Sequence, residues 1–190
     1  YSDATTHGDE HWTLAGILEQ SSNVGMIIAG EKMSNEQRYD FIRKFGVGQD
    51  NGLGLPGQSD GLLYSADQWD LRTQNTVLFG QAYTTNALQL TNAVAVIANK
   101  GVKKPQRIIK TISDAEGHSE EQKPEGEATR VIDEQVASQV MNAMESVSDH
   151  YSQFIKVDGY RVAAKSGTAE VAGADGRLSS IISDYSAIIP

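Results

Sequence analysis

The sequence predicts an α/β fold of the α+β kind, in which a mostly antiparallel sheet is covered by helices. Helical spacing of apolar residues recurs in residues 13–45, 85–99 and 133–147. Two β-rich runs, residues 160–173 and 178–190, are separated by the turn-forming sequence ADGR, which is typical of an antiparallel hairpin. No repeat with a period of roughly 20 to 50 residues occurs, which argues against a solenoid or a propeller.

The first part of the chain predicts three short helices. Thr13 is the N-cap of the first, which ends near Gln20, and the spacing of its apolar residues continues into a second helix after SSN. Ser34 and Gln37 form a capping box for the third helix, which Gly46 ends. The second and third helices are predicted to face the core. The residues that carry this spacing are Leu14, Ile17, Leu18, Val24, Ile27, Ile28, Phe41, Ile42 and Phe45.

The rest of the chain alternates between loops and longer elements. Residues 46–61 hold six glycines and one proline among polar residues, which predicts a surface loop. The segment 85–99 is expected to be a central buried helix, and 105–112 a strand. The charged segment 113–128 is predicted to be a solvated excursion, and residues 133–147 form a further helix.

Composition excludes several classes of function. The 16 Lys and Arg residues against 25 Asp and Glu residues give a net charge of −9, which disfavours binding to nucleic acid or anionic lipid. There is no cysteine, so disulfides, thiolate metal sites and thiol nucleophiles are excluded. The apolar runs at Met26–Ala29 and Ala93–Ala98 are far shorter than the roughly 20 residues that span a bilayer.

Three short motifs are weaker than they first look. His7, Glu10 and His11 match the H-x-x-E-H zinc pattern, but Gly8 and Asp9 interrupt the helix it requires, so a polar loop is predicted and no metal site. The glycines of GLGLPG neither follow a strand nor open a helix, which favours a surface turn over a dinucleotide loop. The acidic run 116–127 lacks the spacing of a calcium site.

The sequences SSN, at residues 21–23, and KSGT, at 165–168, combine into more specific chemistry. A hydroxyl and a carboxamide at the end of one helix, facing a strand with a lysine and two hydroxyls, would form a cationic cleft rich in donors. Ser166 and Thr168 alternate along the strand and so share a face, while Gly167 leaves the opposite face open. Such a cleft suits a small carboxylate beside an amide carbonyl.

With these motifs in order, the chain resembles the transpeptidase domain of class B penicillin-binding proteins, and in particular the division-type septal transpeptidases. The resemblance runs through nearly the whole chain. TLAGILEQSSNVGM is similar to the segment around the family's S-x-N motif, and GLPGQSDGLL to its P-G-E/Q-x-x-G loop. FGQAYTTNALQLTNAVAVIANKG resembles its long buried helix, and VAAKSGTAE its K-[ST]-G-T strand.

The resemblance implies a role for each matching residue. Ser21 would relay a proton during acylation, and Asn23 would hold the substrate amide and help to orient the catalytic lysine. The backbone N–H of Thr168 would supply half of the oxyanion hole. Catalytic roles therefore fall to Ser21, Asn23 and Lys165, and substrate binding to Ser166, Gly167 and Thr168, with Lys165 also contacting the carboxylate.

One departure from the family pattern stands out. The family nucleophile is the serine of an S-x-x-K motif upstream of S-x-N, and here no lysine has a serine three positions before it. We therefore expect residues 1–190 to be a partial transpeptidase domain, truncated at both ends and inactive alone because the nucleophile is missing.

The family implies the activity of the complete protein. It would be a serine D,D-transpeptidase that cross-links D-Ala-D-Ala stem peptides, is acylated by β-lactams, and requires no cofactor. An anchor outside this chain would hold it at the extracytoplasmic face of the membrane, where division proteins are expected partners. The alternatives are a D,D-carboxypeptidase or β-lactamase relative, in which water replaces the acceptor amine, and a non-catalytic domain that docks division partners.

Overall fold

The computed structural model describes residues 1–173 and 178–189. Seven α-helices and six strands are assigned in these ranges. The helices are α1 (Leu14–Glu19), α2 (Asn23–Gly30), α3 (Asn35–Lys44), α4 (Leu71–Thr76), α5 (Ala87–Ala98), α6 (Glu134–His150) and α7 (Ser152–Ile155). The strands are β1 (Val102–Lys103), β2 (Thr111–Ser113), β3 (Ser119–Glu121), β4 (Thr129–Arg130), β5 (Ala163–Ala172) and β6 (Leu178–Ile188). Among the helices described, none is long and apolar enough to cross a membrane.

The helix starts follow the capping signals of the sequence. Thr13 Oγ1 accepts from the N–H of Gly16 at 3.1 Å and begins α1. The capping box predicted for Ser34 and Gln37 is present at the start of α3, and Gly46 follows its end with a left-handed φ of 103°. Local capping chemistry therefore sets these boundaries.

Every strand pair in the described residues is antiparallel: β1 with β4, β2 with β3, and β5 with β6. The long pair β5–β6 confirms the predicted hairpin partners, with Lys165 opposite Ser186 and Thr168 opposite Ser183. The predicted turn ADGR, residues 174–177, lies outside the described residues. This hairpin supplies the sheet strand that carries KSGT.

The core forms where α6 packs against β5 and α1, and where α5 packs against α6 and β6. Val96 of α5 is fully buried, which confirms the predicted central helix. In these packed elements the other buried apolar side chains come from α6 and the start of β5: Ala137, Met144, Val147, Ala163 and Ala164. Val47, Trp69 and Val77 are also buried, outside these elements. The first residues of the KSGT strand are thereby anchored directly in the core.

The prediction of a strand over residues 105–112 is wrong. Only Thr111 and Ile112 are in a strand, and the two-residue strand β1 was missed. Ile108, Ile109 and Ile112 are all more than half exposed, so the run has no buried face on which a strand would be favoured. The segment 113–128 is largely exposed as predicted, although Ser119–Glu121 pairs with β2.

Helices α2 and α3 do not face the core as predicted. Ile28 is 61% exposed and Phe41 is 44% exposed. The buried positions of α2 are Gly25 and Gly30, and that of α3 is Arg38, whose guanidinium donates to the carbonyl of Gly30 at 3.0 Å. The buried Arg38 therefore links the two helices by hydrogen bonds, while α2 approaches the apolar side chains of Ile17 and Leu78 at Gly25 and Gly30. On α1, Leu14 is also exposed.

The glycine-rich segment 46–61 is a loop, as predicted. Gly52, Gly54 and Gly57 all have a positive φ, and no helix begins within the loop, which is described throughout. These glycines therefore serve turn geometry, as the sequence indicated.

Candidate active site

A strained turn between α1 and α2 presents Ser21. The N–H of Ser21 bonds to the carbonyl of Leu18 at 3.2 Å, and the N–H of Ser22 to that of Ile17 at 3.0 Å. This double closure is a Schellman motif, whose left-handed position normally holds glycine. Ser21 occupies that position with a φ of 54° and is exposed. A non-glycine residue with positive φ is strained, and such strain often marks a functional site.

Ser22, not Asn23, caps α2. It is 2% exposed, and its Oγ accepts from the N–H of Gly25 at 2.8 Å while donating to Asp3 Oδ2 at 2.7 Å. The other carboxylate oxygen, Asp3 Oδ1, accepts from the N–H of Val24 at 3.0 Å. Asp3 was missed by the sequence analysis, because no local spacing links it to a helix twenty residues later.

Asn23 is the first residue of α2 and is half-buried. Its Nδ2 donates to the carbonyl of Ser2 at 3.3 Å. Residues 2–3 therefore bond to the N-cap and the first two residues of α2, through Ser2 at Asn23 and through Asp3 at Ser22 and Val24.

Lys165 joins the strand to the turn. Its Nζ donates to Ser21 Oγ at 2.9 Å and to the carbonyl of Ser166 at 2.7 Å. The structure thus brings together Ser21 and Lys165, which are 144 positions apart in sequence. Burial of the amine lowers the pKa of Lys165, and the carboxylate of Asp184 partly opposes that effect.

The other members of KSGT line the strand on alternating faces. Ser166 and Thr168 are exposed and share one face, while Lys165 and Gly167 share the other. Gly167 is opposite Asp184, and a Cβ at Gly167 would lie 2.6 Å from Asp184 Oδ1. Because Gly167 has no side chain, the carboxylate of Asp184 fits beside it, on the same face of the sheet as Lys165.

The backbone of β5 offers hydrogen-bonding groups on the edge opposite β6. The carbonyl of Ser166 accepts from Lys165, and that of Thr168 accepts from Gln81 Nε2 at 3.4 Å. Since the N–H and C=O of one residue point to the same side of an antiparallel strand, the N–H groups of Ser166 and Thr168 face this outer edge. The described residues place no strand there.

The residues of the H-x-x-E-H pattern serve a different purpose. Within the described part of the chain, residues 7–11 form no helix. The two ring nitrogens of His7 face acceptors, with Nε2 2.9 Å from Asp3 Oδ2 and Nδ1 2.8 Å from the carbonyl of Gly8. These acceptors raise the pKa of His7, the Gly8 carbonyl having the larger effect. His7 thus supports the carboxylate that caps α2.

Comparison with known proteins identifies the family to which the chain is similar. Residues 1–185 match the family described as the penicillin-binding protein transpeptidase domain. The chain is 33% identical over 167 residues to the peptidoglycan D,D-transpeptidase FtsI of Escherichia coli, covering 87% of this chain and 26% of that protein. It therefore spans about a quarter of the length of this curated relative.

Solved structures of similar proteins have the same fold as this chain. A crystal structure of a peptidoglycan synthetase from Bifidobacterium adolescentis is 74% identical, with a TM-score of 0.93 over 100% of this chain and 35% of that one. Penicillin-binding protein 3 of Mycobacterium tuberculosis, complexed with ampicillin, is 33% identical, with a TM-score of 0.89 over 98% of this chain and 44% of that one. The chain therefore belongs to the penicillin-binding protein transpeptidase family.

Proposed function

We propose that the complete protein is a serine D,D-transpeptidase of peptidoglycan, and that residues 1–190 are the part of its transpeptidase domain that holds the S-x-N and K-S-G-T elements. The observation that carries this proposal is the 2.9 Å bond from Lys165 Nζ to Ser21 Oγ. It joins the two motifs through a lysine with a lowered pKa and a serine held in a strained turn.

The pair is suited to moving a proton during acylation. When a nucleophilic serine attacks the D-Ala-D-Ala amide, the leaving nitrogen needs a proton. The proton of the attacking serine passes to the lysine of its S-x-x-K motif. Ser21 gives its hydroxyl proton to the leaving nitrogen as the C–N bond breaks and regains one from Lys165, whose lowered pKa eases the transfer. Asn23 holds the substrate amide beside them. The nucleophile is the serine of an S-x-x-K motif supplied by the remainder of the protein, since these 190 residues contain no such motif.

The strand binds the end of the substrate. The exposed hydroxyls of Ser166 and Thr168 bind the terminal carboxylate from one face of β5. The amine of Lys165 extends from the other face to the carbonyl of Ser166 and adds positive charge at this edge of the strand. Gly167 places no side chain on the face of β5 that carries Lys165. The N–H of Thr168, on the outer edge of β5, donates to the oxyanion of the tetrahedral intermediate. Because the whole chain carries a net charge of −9, this local donor-rich site is needed to attract an anion.

The proposed substrate also indicates where the enzyme is located and which molecules it binds. Peptidoglycan stem peptides lie outside the cell membrane, so we propose that an anchor outside this chain holds the enzyme at the extracytoplasmic face. β-Lactams, which mimic the D-Ala-D-Ala terminus, acylate the same serine. Division proteins are proposed partners because the sequence motifs of this chain resemble those of division-type septal transpeptidases.

Intact mass after incubation with benzylpenicillin tests the proposal. The complete protein should gain the mass of one benzylpenicillin, because ring opening forms an ester without releasing any fragment. The 190-residue chain alone should gain none. A complete protein that is folded and remains unmodified would contradict the proposal and favour a non-catalytic binding domain.

The fate of the acyl group tests transfer. A D-Ala-D-Ala donor supplied with an acceptor amine should give a cross-linked product. Release of D-alanine with hydrolysis alone would instead identify a D,D-carboxypeptidase.

A further inference from the structure

We propose that Asp3 is a positioning residue for the S-x-N motif: its carboxylate fixes the first turn of α2, and thereby holds Ser21 and Asn23 in place against Lys165. This inference rests on the proposed function for its catalytic consequence. The contacts that carry it are independent of that function.

The carboxylate of Asp3 is bound on both oxygens. Oδ2 accepts from Ser22 Oγ at 2.7 Å and lies 2.9 Å from His7 Nε2, while Oδ1 accepts from the N–H of Val24 at 3.0 Å. The Asp3 side chain is only 8% exposed. Burial by itself would raise the pKa of Asp3, but the bonds from Ser22, Val24 and His7 outweigh it and hold the pKa below its usual range. Asp3 is therefore an anion at neutral pH, located at the positive end of a helix dipole.

Ser22 transmits this restraint to Ser21. Both capacities of the Ser22 hydroxyl are used, since it donates to Asp3 and accepts from the N–H of Gly25. Ser21 is the adjacent residue and has a φ of 54°, a conformation that persists in a non-glycine residue only when its neighbours enforce it. With Ser22 fixed, the Oγ of Ser21 stays within 2.9 Å of Lys165 Nζ.

The same segment restrains Asn23. Ser2 immediately precedes Asp3, and its carbonyl accepts from Asn23 Nδ2 at 3.3 Å. Fixing Asp3 on Ser22 and Val24 therefore also places the carbonyl that orients the amide of Asn23. Both members of the S-x-N motif are thus oriented by residues 2–3, from outside the motif.

The other end of α2 provides a contrast that separates positioning from simple stability. Arg38 donates to the carbonyls of Gly30 at 3.0 Å and Glu31 at 3.5 Å, so it stabilises the C-terminal end of the same helix. Replacing Arg38 should therefore destabilise the C-terminal end of α2, which is the end distant from Ser21. Replacing Asp3 should destabilise the N-terminal end, where Ser21 and Asn23 lie.

The test uses the complete protein with Asp3→Ala, Asp3→Asn and the control Asp9→Asn, which removes a carboxylate from an exposed residue of the same segment. Reaction with a fluorescent penicillin is followed at several concentrations, well below the melting temperature of each variant. Asp3→Ala should lower the limiting acylation rate constant by about 10- to 100-fold, the effect of displacing a catalytic group by a fraction of an ångström to an ångström. Asp3→Asn keeps an acceptor for Val24 and should lose about tenfold or less. Asp9→Asn should match wild type.

A second readout is independent of activity. The titration of Lys165, followed by NMR through its ε-carbon, should shift its midpoint in Asp3→Ala and Asp3→Asn, because Ser21 Oγ leaves the amine. Asp9→Asn and Arg38→Lys should leave that midpoint unchanged, even where they lower the melting temperature. A wild-type protein that binds no penicillin would refute the proposed function, and the Lys165 titration would still decide the role of Asp3.

Two results would overturn the inference. One is an Asp3→Ala variant that melts earlier yet acylates at the wild-type rate while folded. The other is a Lys165 titration unchanged in both Asp3 variants. Either would reduce Asp3 to a helix cap with no role in placing the S-x-N motif. If Asp3→Ala fails to fold, Asp3→Asn carries both measurements.

Discussion

The two halves of the site are held in place by different means. The turn that presents Ser21 is fixed by buried polar groups, with Ser22 at 2% exposure and the carboxylate of Asp3 closing the helix start. The strand that presents Ser166 and Thr168 is fixed by its register with β6 and by burial of Ala163 and Ala164 at one end, while its hydroxyls are exposed.

This difference has a consequence for mutation. Changes near the turn leave buried donors or acceptors without partners, so they affect stability and catalysis together. Changes of the exposed strand side chains leave the register intact, so they affect binding with little effect on stability. The following experiments test that contrast, from the largest expected effect to the smallest.

Removing the link between the two halves should have the largest effect. Lys165→Met keeps the apolar stem but deletes the amine that bonds to Ser21 Oγ. Loss of a positioned proton donor should reduce the acylation rate constant of the complete protein by roughly 10²- to 10⁴-fold. The melting temperature should change little, since the amine is incompletely desolvated. Lys156→Met, at an exposed lysine, is the matched control; an equal loss there would point to a general effect of charge.

The same substitution at one glycine in each half compares their rigidity. In Gly25→Ala the new Cβ would lie 2.8 Å from Ile17 Cγ1, a buried contact between α2 and α1. Overpacking of this kind costs about 1–3 kcal/mol, of which about 1 kcal/mol is offset by the helix propensity of alanine. In Gly167→Ala the Cβ meets the exposed end of the Asp184 side chain, which can rotate away at a cost below about 1 kcal/mol.

Denaturant unfolding of the complete protein measures both glycine variants. The free energy of unfolding of the transpeptidase domain should fall by up to about 2 kcal/mol in Gly25→Ala and by less than about 1 kcal/mol in Gly167→Ala. A larger loss in Gly167→Ala would show that the strand is the more rigid half. Asp184→Ala in the Gly167→Ala background should then recover that loss, because the carboxylate is the contact.

The difference between local and long-range information also explains what the sequence could predict. Thr13, Ser34 and Gln37 act within three residues along the chain, so their caps could be predicted and are present. The hairpin of β5 and β6 follows from a turn signal between two β-rich runs. The prediction of a strand at residues 105–112 was wrong because its isoleucines do not pack against another element. Whether such packing occurs depends on the tertiary structure, which the local sequence does not determine.

The site divides in the same way. The chemistry of SSN and KSGT could be predicted from residue types, and the structure brings Ser21 and Lys165 together. The left-handed φ of Ser21 could not be predicted, because a serine in a Schellman motif contradicts the usual preference for glycine. Asp3 was also missed, since its bonds to Ser22 and Val24 cross 19 and 21 positions of sequence.

Single hydroxyl deletions on the strand should have a moderate effect, confined to binding. Ser166→Ala and Thr168→Val each remove one donor to the proposed substrate carboxylate and should weaken the apparent affinity for a penicillin by about tenfold, the effect of one charge-assisted hydrogen bond. Both side chains are exposed, so the melting temperature should stay the same. Ser183→Ala is the matched control, because Ser183 is opposite Thr168 and on the same face. Equal weakening in the control would argue against a specific carboxylate site.

The smallest expected effect is a pH dependence at the turn. His7 has acceptors at both ring nitrogens, the carbonyl of Gly8 and the carboxylate of Asp3, and these raise its pKa in the folded protein above the ordinary value of 6.5. A raised pKa means that the protonated form is bound more favourably in the folded state, so its stabilisation is complete below about pH 6.5 and is lost as pH rises through the folded pKa. The pKa of Asp3 is lowered, so its own contribution is lost only in acid and does not interfere in this range.

Wild type should therefore lose stability relative to His7→Gln between about pH 6 and pH 8, measured by thermal unfolding in buffers of equal ionic strength. Parallel curves for the two proteins across this range would show that the ion pair between His7 and Asp3 adds nothing to the cap, and that Ser22 and Val24 are sufficient to hold the carboxylate.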